Sequence, residues 1–168
     1  MNLTGTTNYT DRDGIVDAVT RMVEGIDFAN EDLLRSAFTE DAVFDLTGID
    51  HSIHVFEPYV GRDVVVSTLM ATVGRAMDTF HALANIRVRV EGDAAQLTCY
   101  LIGQHHRLGQ GPSLEFQDAL LLGNRFETEL VRAHDHEWLV RRNRVSSRWS
   151  VGNPAAAAIP AAAISAAR

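Results

Sequence analysis

IDFANEDLLRSAFTEDAVFDLTG, residues 26–48, passes from helix to helix to strand within one short stretch. Upstream of it, Ile15, Val19, Met22, Val23 and Ile26 recur at the helical period. They predict a helix from about Asp11 to Asp27, with Asp11 or Asp13 capping its start. Phe28-Ala29-Asn30 breaks the pattern. A short helix then runs from Glu31 to Phe38, with Leu33, Leu34 and Phe38 on its buried side. In TEDAVFDLTG, Ala42, Phe44 and Leu46 alternate with Val43 and Asp45, which reads as a strand.

The same stretch contains a carboxylate in an unusual place. Val19, Val23 and Asp27 fall at i, i+4 and i+8, along the oily face of the first helix. A desolvated carboxylate has its pKa pushed upward and is poised as a general base or acid. The alternative is a side chain in water on the frayed last turn.

Downstream, residues 48–60 are irregular and rich in His, Asp and Pro. A third helix is predicted from Gly61-Arg62-Asp63, with Asp63 as N-cap, through Val65, Leu69, Met70 and Val73 to about Met77. The rest reads as strand. The runs are about His81–Val90, Ala95–Leu108, Leu114–Arg132 and Trp138–Trp149, the third interrupted near Gly123-Asn124. Turns fall at Glu91-Gly92-Asp93, GQGPS and HDHE. The order predicts an α+β protein, with a long, curved antiparallel sheet around about three N-terminal helices. Residues 1–11 read as a polar lead, 12–153 as one domain and 154–168 as an Ala/Pro-rich tail, AAAAIPAAAISAAR, broken by Pro160.

Composition removes several function classes. Hydrophobic residues make up 46% of the chain, enough for a sizeable core, and net charge is −7 with dispersed arginines. That argues against a nucleic-acid or anionic-membrane surface. All 15 basic residues are Arg, so lysine Schiff-base chemistry is excluded. Cys99 is the single cysteine and lies between apolar residues, so neither a disulfide, a cysteine zinc site nor a reactive thiol is expected. No phosphate loop or G-x-S-x-G elbow is present. No run reaches membrane-spanning length and the first residues lack an apolar signal core, so the expected location is the cytoplasm.

The segments IDFANEDLLRSAFTEDAVFDLTG, GRD, TFHALANIRVRVEGDAAQLTCYLIGQHHR and RFETELVRAHDHEWLVRRNRV ending in GNP resemble the NTF2-like superfamily, in its SnoaL-like and scytalone dehydratase-like branch. The resemblance covers most of residues 12–154. It implies a cone, with a bent sheet wrapped around the helices and an apolar pocket inside. It also implies a pocket Asp and two His, which fall without gaps on Asp27, His81 and His106. The two tyrosines of the dehydratases fall on Ile26 and Leu46, which lack a phenolic donor. Homo-oligomers, dimers or trimers, through the outer sheet face are implied too. Apolar residues on both faces of Leu97–Ile102 agree with a covered outer face.

Other candidates follow from residue type and alternation. His81 shares parity with Arg87 and Arg89, so it faces inward only if a bulge near Ala84-Asn85 reverses the pattern. His105 and His106 face opposite sides. Leu97, Cys99 and Leu101 share a face with His105, while Tyr100, Ile102 and Gln104 share one with His106. The ungapped offset favours His106 as catalytic, which makes His105 a surface or subunit-interface residue, and His105 is kept as a candidate substrate contact. Asp45 reads as a second pocket carboxylate, or as a solvent-facing residue or arginine partner. His51 and Tyr59 are candidates for the pocket mouth. His51-x-x-His54 and His134-Asp135-His136 sit in a loop and a turn without further ligands, so no metal is expected. Trp138 and Trp149 read as core or interface residues.

The expected function is a cofactor-independent acid–base enzyme, a dehydratase, isomerase or cyclase, acting on a hydrophobic oxygenated small molecule of polyketide-like or steroid-like type. His81 paired with Asp27 would remove a proton beside a carbonyl, and His106 would protonate a leaving hydroxyl or bind the enolate oxygen. The rivals are a non-catalytic binding or assembly module, and epoxide opening by Asp27, Asp45 and Arg87 or Arg89.

Overall fold

The computed structural model describes residues 9–49, 57–111 and 119–157. The readings that lie wholly or partly outside these are the lead up to residue 8, His51 and His54, the GQGPS turn with the strand start at Leu114, and the tail beyond residue 157.

Helix α1 spans Asp11–Asp27. Its cap is Thr10, whose hydroxyl accepts from the Asp13 N–H while the Asp13 carboxylate accepts from the Thr10 N–H at 2.9 Å. The expected cap at Asp11 or Asp13 is therefore displaced by one to three residues, because the hydroxyl of Thr10 reaches back to the first free amides. Ala29, with φ +49°, turns the chain out of the helix. Asn30 then caps α2 (Glu31–Ser36) by accepting from the Leu33 N–H at 3.1 Å. Phe38 opens strand β1 (Phe38–Gly48) instead of closing α2.

A two-residue strand, β2 (Tyr59–Val60), lies in the stretch read as irregular and pairs with β1. Helix α3 covers Arg62–Leu69, with Gly61 at the cap position and Asp63 in the first turn, where it pairs with Arg35. A π-helical turn, Met70–Gly74, replaces the predicted α-helical end. Four long strands complete the chain: β3 (Met77–Glu91), β4 (Ala94–Arg107), β5 (Ala119–His134) and β6 (Glu137–Gly152).

The sheet order is β2-β1-β6-β5-β4-β3. It is mixed, because β1 runs parallel to β6 while every other pair is antiparallel. The long antiparallel sheet expected from the strands after the helices is present in β3 to β6, and β1 is the strand added in parallel. Consecutive strands pair from β3 through β6, but β1 joins beside the last strand, and alternation carries no information on strand direction.

The sheet curves around the helices with its inner face against α1. Ile15, Val19 and Met22 of α1, Phe38 and Trp138 are fully buried. Asp11 holds the start of α1 onto the β5–β6 hairpin. Its carboxylate takes Arg132 at 2.5 and 2.9 Å, His136 Nδ1 at 3.0 Å and Trp138 Nε1 at 3.3 Å. Arg132 also lies over the Trp138 ring. Fixing that end sets the axis of α1, and so where its last turn meets β3. Pro154–Ala157 form a 3₁₀ turn whose Ala156 packs on Leu120 and Leu122. Among the described residues, no helix is long and apolar enough to cross a membrane.

Candidate active site

Asp27 ends α1, where the helix dipole is negative and disfavours another anion. Three donors offset that cost. Thr79 Oγ1 donates to Oδ1 at 2.8 Å, the His81 backbone N–H donates to Oδ2 at 2.8 Å, and His81 Nδ1 lies 2.6 Å from Oδ1. The two side chains are 7% and 9% exposed, for His81 and Asp27 respectively. Burial alone would raise the Asp27 carboxyl. The His81 hydrogen bond and charge, with the Thr79 bond, outweigh it and hold the group below the ordinary carboxylate range. The upward shift expected from sequence is thus reversed, because the carboxylate is buried among donors and not among hydrocarbon.

An ionised Asp27 accepts the Nδ1 proton of His81. In the neutral imidazole this leaves the Nε2 lone pair as the basic position. His81 reaches the site because β3 is bulged. Ala84 opposes Tyr100 and Arg87 opposes Thr98, so Asn85 and Ile86 together face one residue, and Asn85 takes φ +54°. The extra residue flips the alternation. His81 and Leu83 then share the inner face with Ile86 and Val88, while Arg87 and Arg89 are exposed.

His81 opens onto an apolar cavity of about 220 Å³. Met22, Val23 and Ile26 of α1 form one side, and Phe44, Leu46 and Tyr59 another. Leu69, Thr72 and Val73 close it from α3 and the π turn. The sheet contributes Leu101, His105, Leu122, Asn124 and Phe126 among others, and Ala157 reaches it from the last turn.

Of the two adjacent histidines, His105 lines the cavity. Its ring packs edge-to-face on His81, centroids 5.2 Å apart. Burial, and then the neighbouring His81, push its pKa down to about 4, so it is neutral at neutral pH. Its Nδ1 is buried without a partner within the described residues. His106 is corrected: it faces the other side of β4. Its Nε2 lies 2.7 Å from the Gln104 amide nitrogen, and it is covered by the chain at Gly111, whose N–H donates to Asp78 at 2.9 Å. The apolar set Leu97, Cys99 and Leu101 marks the face that His105 shares, and core packing decides the direction.

Of the readings of Asp45, the arginine partner is the one present, and the pocket carboxylate is corrected. Its neighbours Phe44 and Leu46 line the cavity, so Asp45 points away from it. It accepts from Arg142 at 2.9 Å and from the Thr47 hydroxyl at 2.6 Å. Ile26, Leu46 and Tyr59 are on the wall. Burial raises the Tyr59 phenol, which keeps it protonated and able to donate.

Three residues were missed by sequence reasoning. Thr79 is one pleat from His81 and binds the same carboxylate. Asn124 is buried on the cavity wall with its Oδ1 unpartnered within the described residues. Its parity with Leu120, Leu122 and Phe126 was the available signal. Gly103 lies opposite His81 on β4. A Cβ there would stand 3.0 Å from His105 Cε1 and 3.0 Å from His81 Cδ2, so the bare backbone makes room for both rings. Among the described residues, no group of three His, Cys, Asp or Glu side chains is placed to hold a metal ion.

The SnoaL-like domain model matches residues 7–144. Terrestric acid biosynthesis cluster protein E of Penicillium crustosum is 38% identical over 147 residues, covering 85% of this chain and 86% of its own. Among solved structures, a protein of Novosphingobium aromaticivorans provisionally assigned as an aromatic ring hydroxylase superposes with a TM-score of 0.70 at 27% identity. It covers 88% of this chain and 96% of its own. A second protein of that organism, provisionally a scytalone dehydratase, gives 0.67 at 18% identity, over 86% and 92% of the two chains. The chain belongs to the SnoaL-like domain family, and its fold is that of the NTF2-like superfamily.

Proposed function

We propose that this protein is a cofactor-independent acid–base enzyme, a dehydratase, isomerase or cyclase, acting on a hydrophobic oxygenated small molecule. The observation that carries this reading is the Asp27–His81 hydrogen bond at the wall of an apolar cavity. His81 Nε2 takes a proton from a carbon beside a carbonyl, and Asp27 stabilises the imidazolium that forms. His105, Tyr59 and Asn124 are the groups able to bond the developing enolate oxygen or a departing hydroxyl. Loss of hydroxide as water completes a dehydration. Return of the proton to another carbon completes an isomerisation. A biosynthesis cluster protein among the relatives supports a role in making a polyketide-like compound.

The set for epoxide opening is not assembled, since Asp45 pairs with Arg142 away from the cavity and Arg87 and Arg89 are exposed. A non-catalytic binding module is favoured less, because such a module gains nothing from an imidazole held by a carboxylate. The test is substitution: Asp27→Asn and His81→Ala each abolish turnover of the protein's substrate, and turnover retained by either contradicts the reading.

The proposed working form is a cytoplasmic homo-oligomer, a dimer or trimer joined through the outer sheet face. Phe80, Tyr100, Ile102, Trp149 and Val151 are between 45% and 65% exposed there. Beside them, Arg87 and Arg89 of β3 and Glu127 and Glu129 of β5 offer a second copy complementary charges.

A further inference from the structure

We infer that the cavity selects neutral compounds of one or two rings and rejects carboxylates. The inference deepens the acid–base reading and rests on it for the position of the reacting carbon. The first observation is charge. Among the described residues, no arginine lines the cavity, although arginine is the chain's only cationic side chain apart from histidine. The segments outside the described residues hold a single arginine, Arg168, and two histidines, His51 and His54.

Among the described residues, the one strong charge beside the cavity is negative. Asp27 is held by three donors behind His81. A ligand atom bonded to His81 Nε2 would sit about 7 Å from that carboxylate. At that distance, in a low-dielectric pocket, like charges repel strongly. With Asp27 ionised, the pair carries no net positive charge. His105 is neutral and offers dipoles only. A substrate carboxylate would therefore lose its water and find no counter-ion among the described residues.

The second observation is size. An engineered cavity of about 150 Å³ holds a benzene molecule. This cavity, at about 220 Å³, is about half as large again, which suits a substituted ring or a fused pair. It falls below the roughly 300–1,000 Å³ usual for larger ligands. A four-ring steroid skeleton does not fit wholly within a space of this volume. Any free carboxyl group of a precursor must be esterified, closed into a lactone or lost before the compound enters, so the preceding step belongs to one of those reaction classes.

The test is calorimetric binding at pH 7 of four probes: 1-tetralone, methyl 2-naphthoate, 2-naphthoate and a four-ring steroid ketone. The expected result is that 1-tetralone and the ester bind, the carboxylate binds at least about tenfold more weakly than the ester, and the steroid gives no heat. In Asp27→Asn the gap between ester and carboxylate narrows, while 1-tetralone binding stays within about threefold. The inference is overturned if the carboxylate matches the ester in the wild type, if the steroid binds more tightly than 1-tetralone, or if neither neutral probe binds. Deuterium exchange at C2 of 1-tetralone is scored separately. Selective binding without exchange contradicts the acid–base reading alone, and exchange without selectivity contradicts this inference alone.

Discussion

Asp27 grips His81 at two points: its Oδ1 lies 2.6 Å from the imidazole Nδ1, and its Oδ2 accepts the backbone N–H of the same residue at 2.8 Å. The ring is thereby fixed in position and in tautomer, with Nε2 left toward the cavity. One carboxylate thus ties the end of α1 to β3 and prepares a base.

The adjacent histidines give a direct contrast. His105 lines the cavity and His106 does not. His105→Gln is expected to slow proton exchange of 1-tetralone about tenfold or more, and His106→Gln to leave it within about threefold. The reverse ranking would restore His106 to the site.

Stability should depend on pH through His105. Its folded pKa is about 4, against 6.5 for the free imidazole. As pH falls through that window the unfolded chain takes a proton that the folded chain refuses, so stability drops, by about 3 kcal/mol in total. Asp27 acts lower: its depressed carboxyl stabilises the fold above the ordinary carboxylate pKa and loses that only as pH falls below it. Urea unfolding at pH 7 and pH 4.5 separates the two. His105→Asn should lose markedly less stability over this interval than the wild type, and equal losses would count against a neutral buried His105.

Gly103→Ala places a methyl against both imidazoles. The rings must give by a few tenths of an ångström, and near-attack geometry is sensitive at that scale. The expected outcome is a fall in kcat of about tenfold with KM little changed, and displaced His81 and His105 ring nitrogen shifts by NMR. Unmoved ring signals would remove Gly103 from the site's architecture.

Much of this was legible before the structure. The apolar period placed α1 and its terminal carboxylate, and the inward turn of His81 hinged on a bulge at Ala84-Asn85 that β3 does contain. The His105 direction was written in Leu97, Cys99 and Leu101, yet an ungapped comparison pointed to His106; one residue of offset reverses a strand's face. The downward shift of Asp27 was not legible, because it depends on donors 52 and 54 residues away. The π turn behind Thr72 has no local sequence signal that we can identify.

The outer sheet face yields a prediction on assembly. Ile102→Glu places a charge among Phe80, Tyr100 and Trp149. Analytical ultracentrifugation should find the wild type as a dimer or trimer and the variant shifted to monomer with its fold intact. A wild-type monomer would end the proposal.

The central claim is that Asp27 makes His81 a base toward a carbon acid in the cavity. The most direct measurement is the rate at which the protein exchanges the C2 protons of 1-tetralone in heavy water, followed by proton NMR. The wild type should accelerate exchange, Asp27→Asn should lower the rate about 10²–10⁴-fold while still binding the ketone, and His81→Gln should do the same. Exchange by Asp27→Asn at the wild-type rate would contradict the account.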